Sequence, residues 1–233
     1  MRIVSLVPSS TETLLALGAD VVACTRFCEQ PQLEHVGGTK NPDVAAIVAL
    51  APDLVVLDRE ENRIEDHDAL VAAGLELFVS DVRTVGDGRR VVDDLAAAVG
   101  VSVPDHEALP PSAAGGGRRT AFVPIWRRPW MTIGSRTYGA SLLSHLGVDL
   151  VSVADRTDYP TVELAEIAVA RPDLLVIPSE PYVFTDDQVD ELSSAVPDAG
   201  VVRVDGQDLF WWGSRTVAAV QRLGDQLARF PAG

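Results

Sequence analysis

Val44-Ala45-Ala46-Ile47-Val48-Ala49-Leu50-Ala51-Pro52-Asp53-Leu54-Val55-Val56-Leu57 returns later in the chain as Leu164-Ala165-Glu166-Ile167-Ala168-Val169-Ala170-Arg171-Pro172-Asp173-Leu174-Leu175-Val176-Ile177. Each copy reads as a short apolar helix, a Pro-Asp turn and a wholly apolar strand. Proline cannot extend the helix and pushes the residue before it out of helical geometry, so the turn is fixed in place. A strand apolar on both faces must be covered on both, as parallel strands between helices are. The repeat therefore predicts two related α/β halves.

The flanking sequence agrees. In the first half a strand at Arg2–Val7 leads into a helix from about Thr11 to Leu17, with Ser9 and Glu12 at capping-box spacing and Gly18 closing it. Strands near Val21–Thr25, Leu54–Leu57 and Leu75–Val79 alternate with helices near Asp43–Leu50 and Arg63–Ala73. In the second half, strands near Thr120–Ile125, Leu174–Ile177 and Val201–Val204 alternate with helices near Tyr138–Leu146, Val162–Ala170, Asp186–Ser194 and Ser214–Arg229. The expected fold is α/β: two Rossmann-like lobes with mostly parallel sheets, joined by a shortened helix and linker around a central cleft. Residues 1–86 form the N-terminal lobe, 87–117 the connecting helix and Pro/Gly linker, and 118–233 the C-terminal lobe. Loops at the carboxyl ends of parallel strands are where such sheets take ligands, so those loops should line the cleft.

A net charge of −15, with basic pairs such as Arg89-Arg90 and Arg127-Arg128 isolated from one another, excludes a nucleic-acid partner, which needs a basic stripe. No apolar run is long enough for a membrane span. The opening Met1-Arg2-Ile3-Val4-Ser5 reads as a strand rather than an export signal. The expected location is the cytoplasm, or the periplasm or cell exterior if a signal is removed. Two cysteines make no disulfide framework.

Residues able to carry function follow the strands. Phe27 and Cys28 follow the second strand, and Lys40 lies in Gly37-Gly38-Thr39-Lys40-Asn41-Pro42, which lacks the spacing of a phosphate loop. Asp58, Glu60 and Glu61 follow the first repeated strand, and Glu180 and Tyr182 follow its copy. Trp126, Trp130, Tyr159, Trp211 and Trp212 fall in loop-like stretches of the second half and offer flat apolar walls for a macrocycle or planar chelate. Cys24 reads as a buried small hydrophobe, while Cys28 is the candidate thiolate ligand for a soft metal. No nucleophile–base set is visible, so binding rather than catalysis is expected.

Arg2-Ile3-Val4-Ser5-Leu6-Val7-Pro8-Ser9-Ser10-Thr11-Glu12, Val36-Gly37-Gly38-Thr39-Lys40-Asn41-Pro42-Asp43 and Leu50-Ala51-Pro52-Asp53-Leu54-Val55 together resemble the helical-backbone metal receptor superfamily. These are class III substrate-binding proteins that serve uptake of vitamin B12, iron-siderophores and haem, and the nearest subgroup is the cobalamin-binding type. The resemblance implies a corrinoid, haem or ferric chelate as bound ligand. It carries the family's ligand-contacting aromatics onto Phe27 and Tyr159 and a late acidic contact onto Asp208. Thr39 or Lys40 and Asp58 stand where the family has further aromatics. The glutamates that dock such receptors on an ABC permease fall on Ala45 and Ala165, with Glu166 adjacent. The expected function is non-catalytic binding of a corrinoid or other metal chelate, in cytoplasmic trafficking, storage or sensing. The alternatives are the binding component of an ABC importer for cobalamin, haem or iron-siderophore, and an enzyme on the same scaffold.

Overall fold

The computed structural model describes residues 1–103, 108–111, 117–155 and 157–230. Much of the expected linker, including Pro104 and Gly115-Gly116, lies outside the described residues. The chain divides into two compact units. The first comprises Met1–Val82, the run that begins at Gly86, and Trp212–Arg215; the second comprises Arg83–Val85, the run from Ala108 to Trp211, and the run from Thr216.

The first unit runs β1 (Arg2–Ser5), α1 (Pro8–Ala16), β2 (Asp20–Cys24), β3 (Glu34–His35), β4 (Gly37–Gly38), β5 (Asn41–Pro42), α2 (Val44–Ala49), β6 (Leu54–Asp58), α3 (Ile64–Ala72), β7 (Leu77–Ser80) and α4 (Val85–Val99). Its main sheet has the order β3-β2-β1-β6-β7 with every pairing parallel, and β4 and β5 form a small hairpin. The core gathers Val4, Leu6, Ala23, Ile47, Val55, Leu57 and Leu70.

The second unit runs β8 (Arg119–Phe122), β9 (Pro124–Trp126), β10 (Trp130–Thr132), α5 (Tyr138–His145), β11 (Val148–Leu150), a 3-10 turn at Ser152–Asp155, β12 (Thr161–Val162), α6 (Leu164–Ala170), β13 (Leu174–Pro178), α7 (Asp186–Ala195), β14 (Gly200–Val204), α8 (Gly206–Phe210) and α9 (Thr216–Leu227). A parallel sheet of order β11-β8-β13-β14 stands beside an antiparallel one of order β12-β10-β9. The expected single strand over Thr120–Ile125 is thus two short ones, the second turned into an antiparallel ribbon. The amphipathic α9 buries Thr216, Ala219, Val220, Leu223 and Leu227, the spacing of one helical face.

The repeat is structural down to single atoms. Ile47 and Ile167, equivalent positions on α2 and α6, are both fully buried. Ala51 and Arg171 both take left-handed backbone, φ 45° and 46°, ahead of the turn prolines. Both turn aspartates tie back to the central strand. Asp53 accepts from the Arg2 N–H at 2.6 Å, and Asp173 accepts from the Thr120 N–H at 2.6 Å. Each aspartate gives the N–H at the start of its neighbouring strand a partner within the fold, so the Asp of the Pro-Asp pair has a structural reason to recur.

Helix α1 differs from expectation. It begins at Pro8, with Val7 as its unaided cap, rather than at a Ser9–Glu12 capping box. Proline suits the first helical position because its missing N–H has no partner there anyway. Glu12 is released for another role and is gripped by Arg215 through two contacts of 2.6 and 2.7 Å. Gly18 closes the helix at φ 73°, as expected.

Candidate functional site

In the first unit, the loops after β1, β2, β6 and β7 are bound into one polar rim at the carboxyl ends of the parallel strands. Asp58 ends β6, is 3 % exposed, and accepts from the Glu60 N–H at 2.9 Å and the Ser80 hydroxyl at 2.7 Å. Burial pushes its carboxyl above the ordinary carboxylate range, while the Ser80 hydroxyl and the Glu60 and Glu61 amides pull it back down. Asn62 links three segments, accepting from the Asp58 N–H at 2.8 Å and donating to the Thr39 carbonyl at 2.9 Å and the Leu6 carbonyl at 3.3 Å. Lys40, on the β4–β5 turn, donates to the Glu60 carbonyl.

Phe27 stands out from this rim, 50 % exposed, with the Arg26 guanidinium 4.9 Å from its ring centre. A side chain at Gly38 would meet the Phe27 ring at 3.0 Å, so glycine there lets the hairpin lie close under the aromatic. Cys28 is 2 % exposed, with the Thr11 and Thr25 hydroxyls each 3.2 Å from its sulfur. Among the described residues no three His, Cys, Asp or Glu side chains gather as a metal site. Cys28 thus belongs to no such cluster among the described residues, and its side chain is buried. Glu61 and Lys40 are exposed and Glu60 is half-buried.

In the second unit the aromatics form a run. Trp126 meets Tyr182 edge-on at 5.1 Å, Tyr182 meets Phe184 at 4.8 Å, and Phe184 stacks on Trp130 at 5.8 Å. The run passes from surface to core: Trp126 is 47 % exposed, Tyr182 half-buried, and Phe184 and Trp130 lie within the hydrophobic core. The Gln188 amide donates to the Tyr182 hydroxyl at 3.0 Å, fixing that ring. Arg127 covers Trp130 at 4.6 Å while paired with Glu191. Tyr159 is exposed, next to Asp158, which holds both Arg83 and Arg136. Glu180, the repeat counterpart of Glu60, accepts from the Trp211 indole at 2.8 Å, and Gly206 packs against it.

The sequence-chosen residues thus separate into two groups. Phe27, Lys40, Glu61, Trp126 and Tyr159 are exposed, and Glu60, Glu180, Tyr182 and Trp211 are half-buried at the rims. Cys28, Asp58, Trp130, Asp208 and Trp212 are buried. Asp208 is held by Arg222 through contacts of 2.6 and 2.5 Å, which makes it a structural ion pair rather than an open acidic contact. Arg26, Asn62 and Arg127 shape the rims and were not singled out from sequence; only the i,i+4 spacing of Asp58 and Asn62 hinted at one of them. Glu166, beside the docking position Ala165, accepts from the Glu163 N–H at 2.8 Å and so completes the capping box of α6.

No family model matches the chain. A vitamin B12-binding protein of Yersinia pestis is 27 % identical over an alignment of 249 positions, covering 99 % of this chain and 87 % of that protein. The crystal structure of the periplasmic vitamin B12 binding protein BtuF of Vibrio cholerae matches with a TM-score of 0.75 at 19 % identity, covering 98 % of this chain and 96 % of that one. A periplasmic heme binding protein from Pseudomonas aeruginosa matches with a TM-score of 0.77 at 18 % identity, covering 100 % and 95 %. Both solved neighbours are periplasmic, which gives the expected cytoplasmic placement no support. In sequence to the first and in fold to the others, the resemblance to the helical-backbone metal receptor superfamily, nearest its cobalamin-binding type, holds over the whole chain.

Proposed function

We propose that this chain binds a corrinoid or haem-like metal chelate without transforming it, as the substrate-binding component of an ABC importer working outside the cytoplasm. The observation that carries the reading is the exposed, braced aromatic at the carboxyl end of each unit's strands: Phe27 under Arg26, and Trp126 backed by Tyr182. Large apolar rings are normally covered, and these are held outward by partners that fix their orientation. The relatives' names, vitamin B12-binding and heme-binding, support the same ligand class. They favour import over the cytoplasmic trafficking, storage or sensing expected from sequence.

Lys40, Glu61, Tyr159 and Tyr182 supply polar contacts around the rings, and Glu60, Glu180 and Trp211 hold the loops. The permease contact falls on the outer faces of α2 and α6, where Ala45 and Ala165 are exposed. The test is titration of the purified chain with cyanocobalamin and with hemin, read by tryptophan fluorescence and ligand absorbance. Saturable binding of either with a Kd of about 1 μM or tighter is expected. Flat titrations with both would end the reading.

A further inference from the structure

We propose that Arg26 and Lys40 make the first unit's rim an acid-reading edge, so that the chelate laid on Phe27 is one whose periphery carries carboxylates. This rests on the ligand lying on Phe27, as proposed above, and names the ligand class within that reading. The sequence holds 34 acidic against 19 basic side chains, so a cation without an acidic partner is unexpected. Even exposed arginines find one: Arg59 pairs with Asp81, Arg118 with Asp149 and Arg203 with Asp186. Arg26 and Lys40 do not. Among the described residues the Arg26 guanidinium has no carboxylate partner, and it lies 4.9 Å from the centre of the half-exposed Phe27 ring. Lys40, the sequence's single lysine, gives its ammonium to the Glu60 carbonyl rather than to a carboxylate.

One small hairpin holds both cations beside the ring. The Arg26 N–H donates to the Gly37 carbonyl at 2.9 Å, and Lys40 lies on the turn between β4 and β5. A Cβ at Gly38 would fall 2.7 Å from the Asn41 Oδ1, 3.0 Å from the Phe27 ring and 3.1 Å from the Arg26 Nη2. Glycine there lets β4 close up against the whole Arg-Phe pair. An aromatic flanked by cations suits a flat ligand whose ring stacks and whose acidic substituents reach outward. A guanidinium gives a carboxylate paired N–H bonds, and an ammonium adds a point charge. Amide-ended substituents gain less, because their oxygens carry no full charge. Glu61, exposed on the same rim, opposes an acid. The second unit, taken by itself, shows the same chemistry. Its Trp126 is exposed, and so is Arg128, which has no ion pair among the described residues.

The full chain is titrated with hemin, whose propionates are free, with hemin dimethyl ester, which keeps the ring and iron but loses those charges, and with cyanocobalamin, whose corrin side chains end in amides. Hemin should bind roughly fivefold or more tighter than the ester. That advantage should shrink as salt rises from about 0.05 to 0.5 M. Arg26→Gln and Lys40→Gln should each weaken hemin about 2- to 5-fold and leave the ester unchanged. Glu61→Gln, which removes the opposing acid, should tighten hemin and not the ester. Phe27→Ala should weaken both, since it takes away the ring itself. Melts without ligand check that the variants fold, and should one not fold, the wild-type comparison of acid with ester decides alone. Equal affinity for hemin and its ester, or cyanocobalamin bound more tightly than hemin, would overturn the acid-reading edge and leave the binding reading standing. Cation variants that weaken the ester as much as the acid would overturn it too. Flat titrations with all three would overturn the binding reading and the edge with it.

Discussion

Asp58 and Asp158 are shifted in opposite directions, and each leaves its own mark on stability against pH. Asp158 lies below the ordinary carboxylate range because Arg83, and after burial's opposing effect Arg136, bond its charged form. Its contribution is present above the ordinary carboxylate range and is lost as pH falls through the depressed folded value. Asp158→Asn should therefore lower the Tm by about 1–3 °C near neutral pH, with the gap closing in acid. Asp58 is raised by burial, so folding favours its protonated form, and wild-type stability falls as pH rises from the ordinary range through the raised value. Asp58→Asn, which cannot titrate, should be most inferior in acid and approach wild type as pH rises. Thermal melts of the three proteins between about pH 3 and 7 check both slopes; parallel curves would refute the assignments. Neither shift is visible in sequence, because burial and partners are not. For the same reason Asp208 read as an open contact: its partner Arg222 lies on the next helix, and nothing in the residue string joins them. Trp130 and Trp212 mislead similarly, since a loop position in sequence says nothing about whether the ring points into the core.

At the scale of the element, the helix–Pro-Asp–strand unit was fully legible, because its proline, its apolar run and its recurrence all point to one geometry. The structure adds the reason for its details. Ala51 and Arg171 both hold a left-handed conformation that costs an L-residue about 1–2 kcal/mol. Ala51→Gly or Arg171→Gly removes that strain and adds about 0.5–1 kcal/mol of unfolded-chain entropy, for a net gain near 0.5–1 kcal/mol each. Denaturant melts should show the midpoint rising with the slope unchanged. The turn aspartates give the opposite result. Asp53→Ala and Asp173→Ala each strip the acceptor from an exposed strand N–H and should cost about 0.5–1.5 kcal/mol. They share no partner, so the double variant should lose the sum, and clear non-additivity would contradict that independence. What the sequence hid at this scale is the β9-β10-β12 ribbon and the β4-β5 hairpin. Strands of two or three residues are too short for a period of two to register, and their partners lie across turns of variable length.

For the whole molecule, Phe27, Cys28, Glu60, Glu61, Glu180 and Tyr182 do follow parallel strands, because strand ends can be read from where apolar runs stop, whereas Trp126 and Trp130 lie within β9 and β10. The sequence could not tell which side chains remain outside once the loops have paired with one another. Phe27 in the first unit and Trp126 in the second are exposed rings held by neighbouring side chains, Arg26 and Tyr182. Taken one unit at a time, Phe27→Ala and Trp126→Ala should each weaken binding of the ligand identified by titration about 5- to 30-fold. Both variants should keep one ligand per chain and a wild-type Tm without ligand, since neither ring fills the interior. Ligand at about 100 times its Kd should raise wild-type stability by about 2.7 kcal/mol and each variant by correspondingly less. A variant that binds like wild type would remove its unit's aromatic from the site. Weakened binding in either variant assigns the ligand contact to that unit's exposed ring rather than to the buried Trp130 or Trp212.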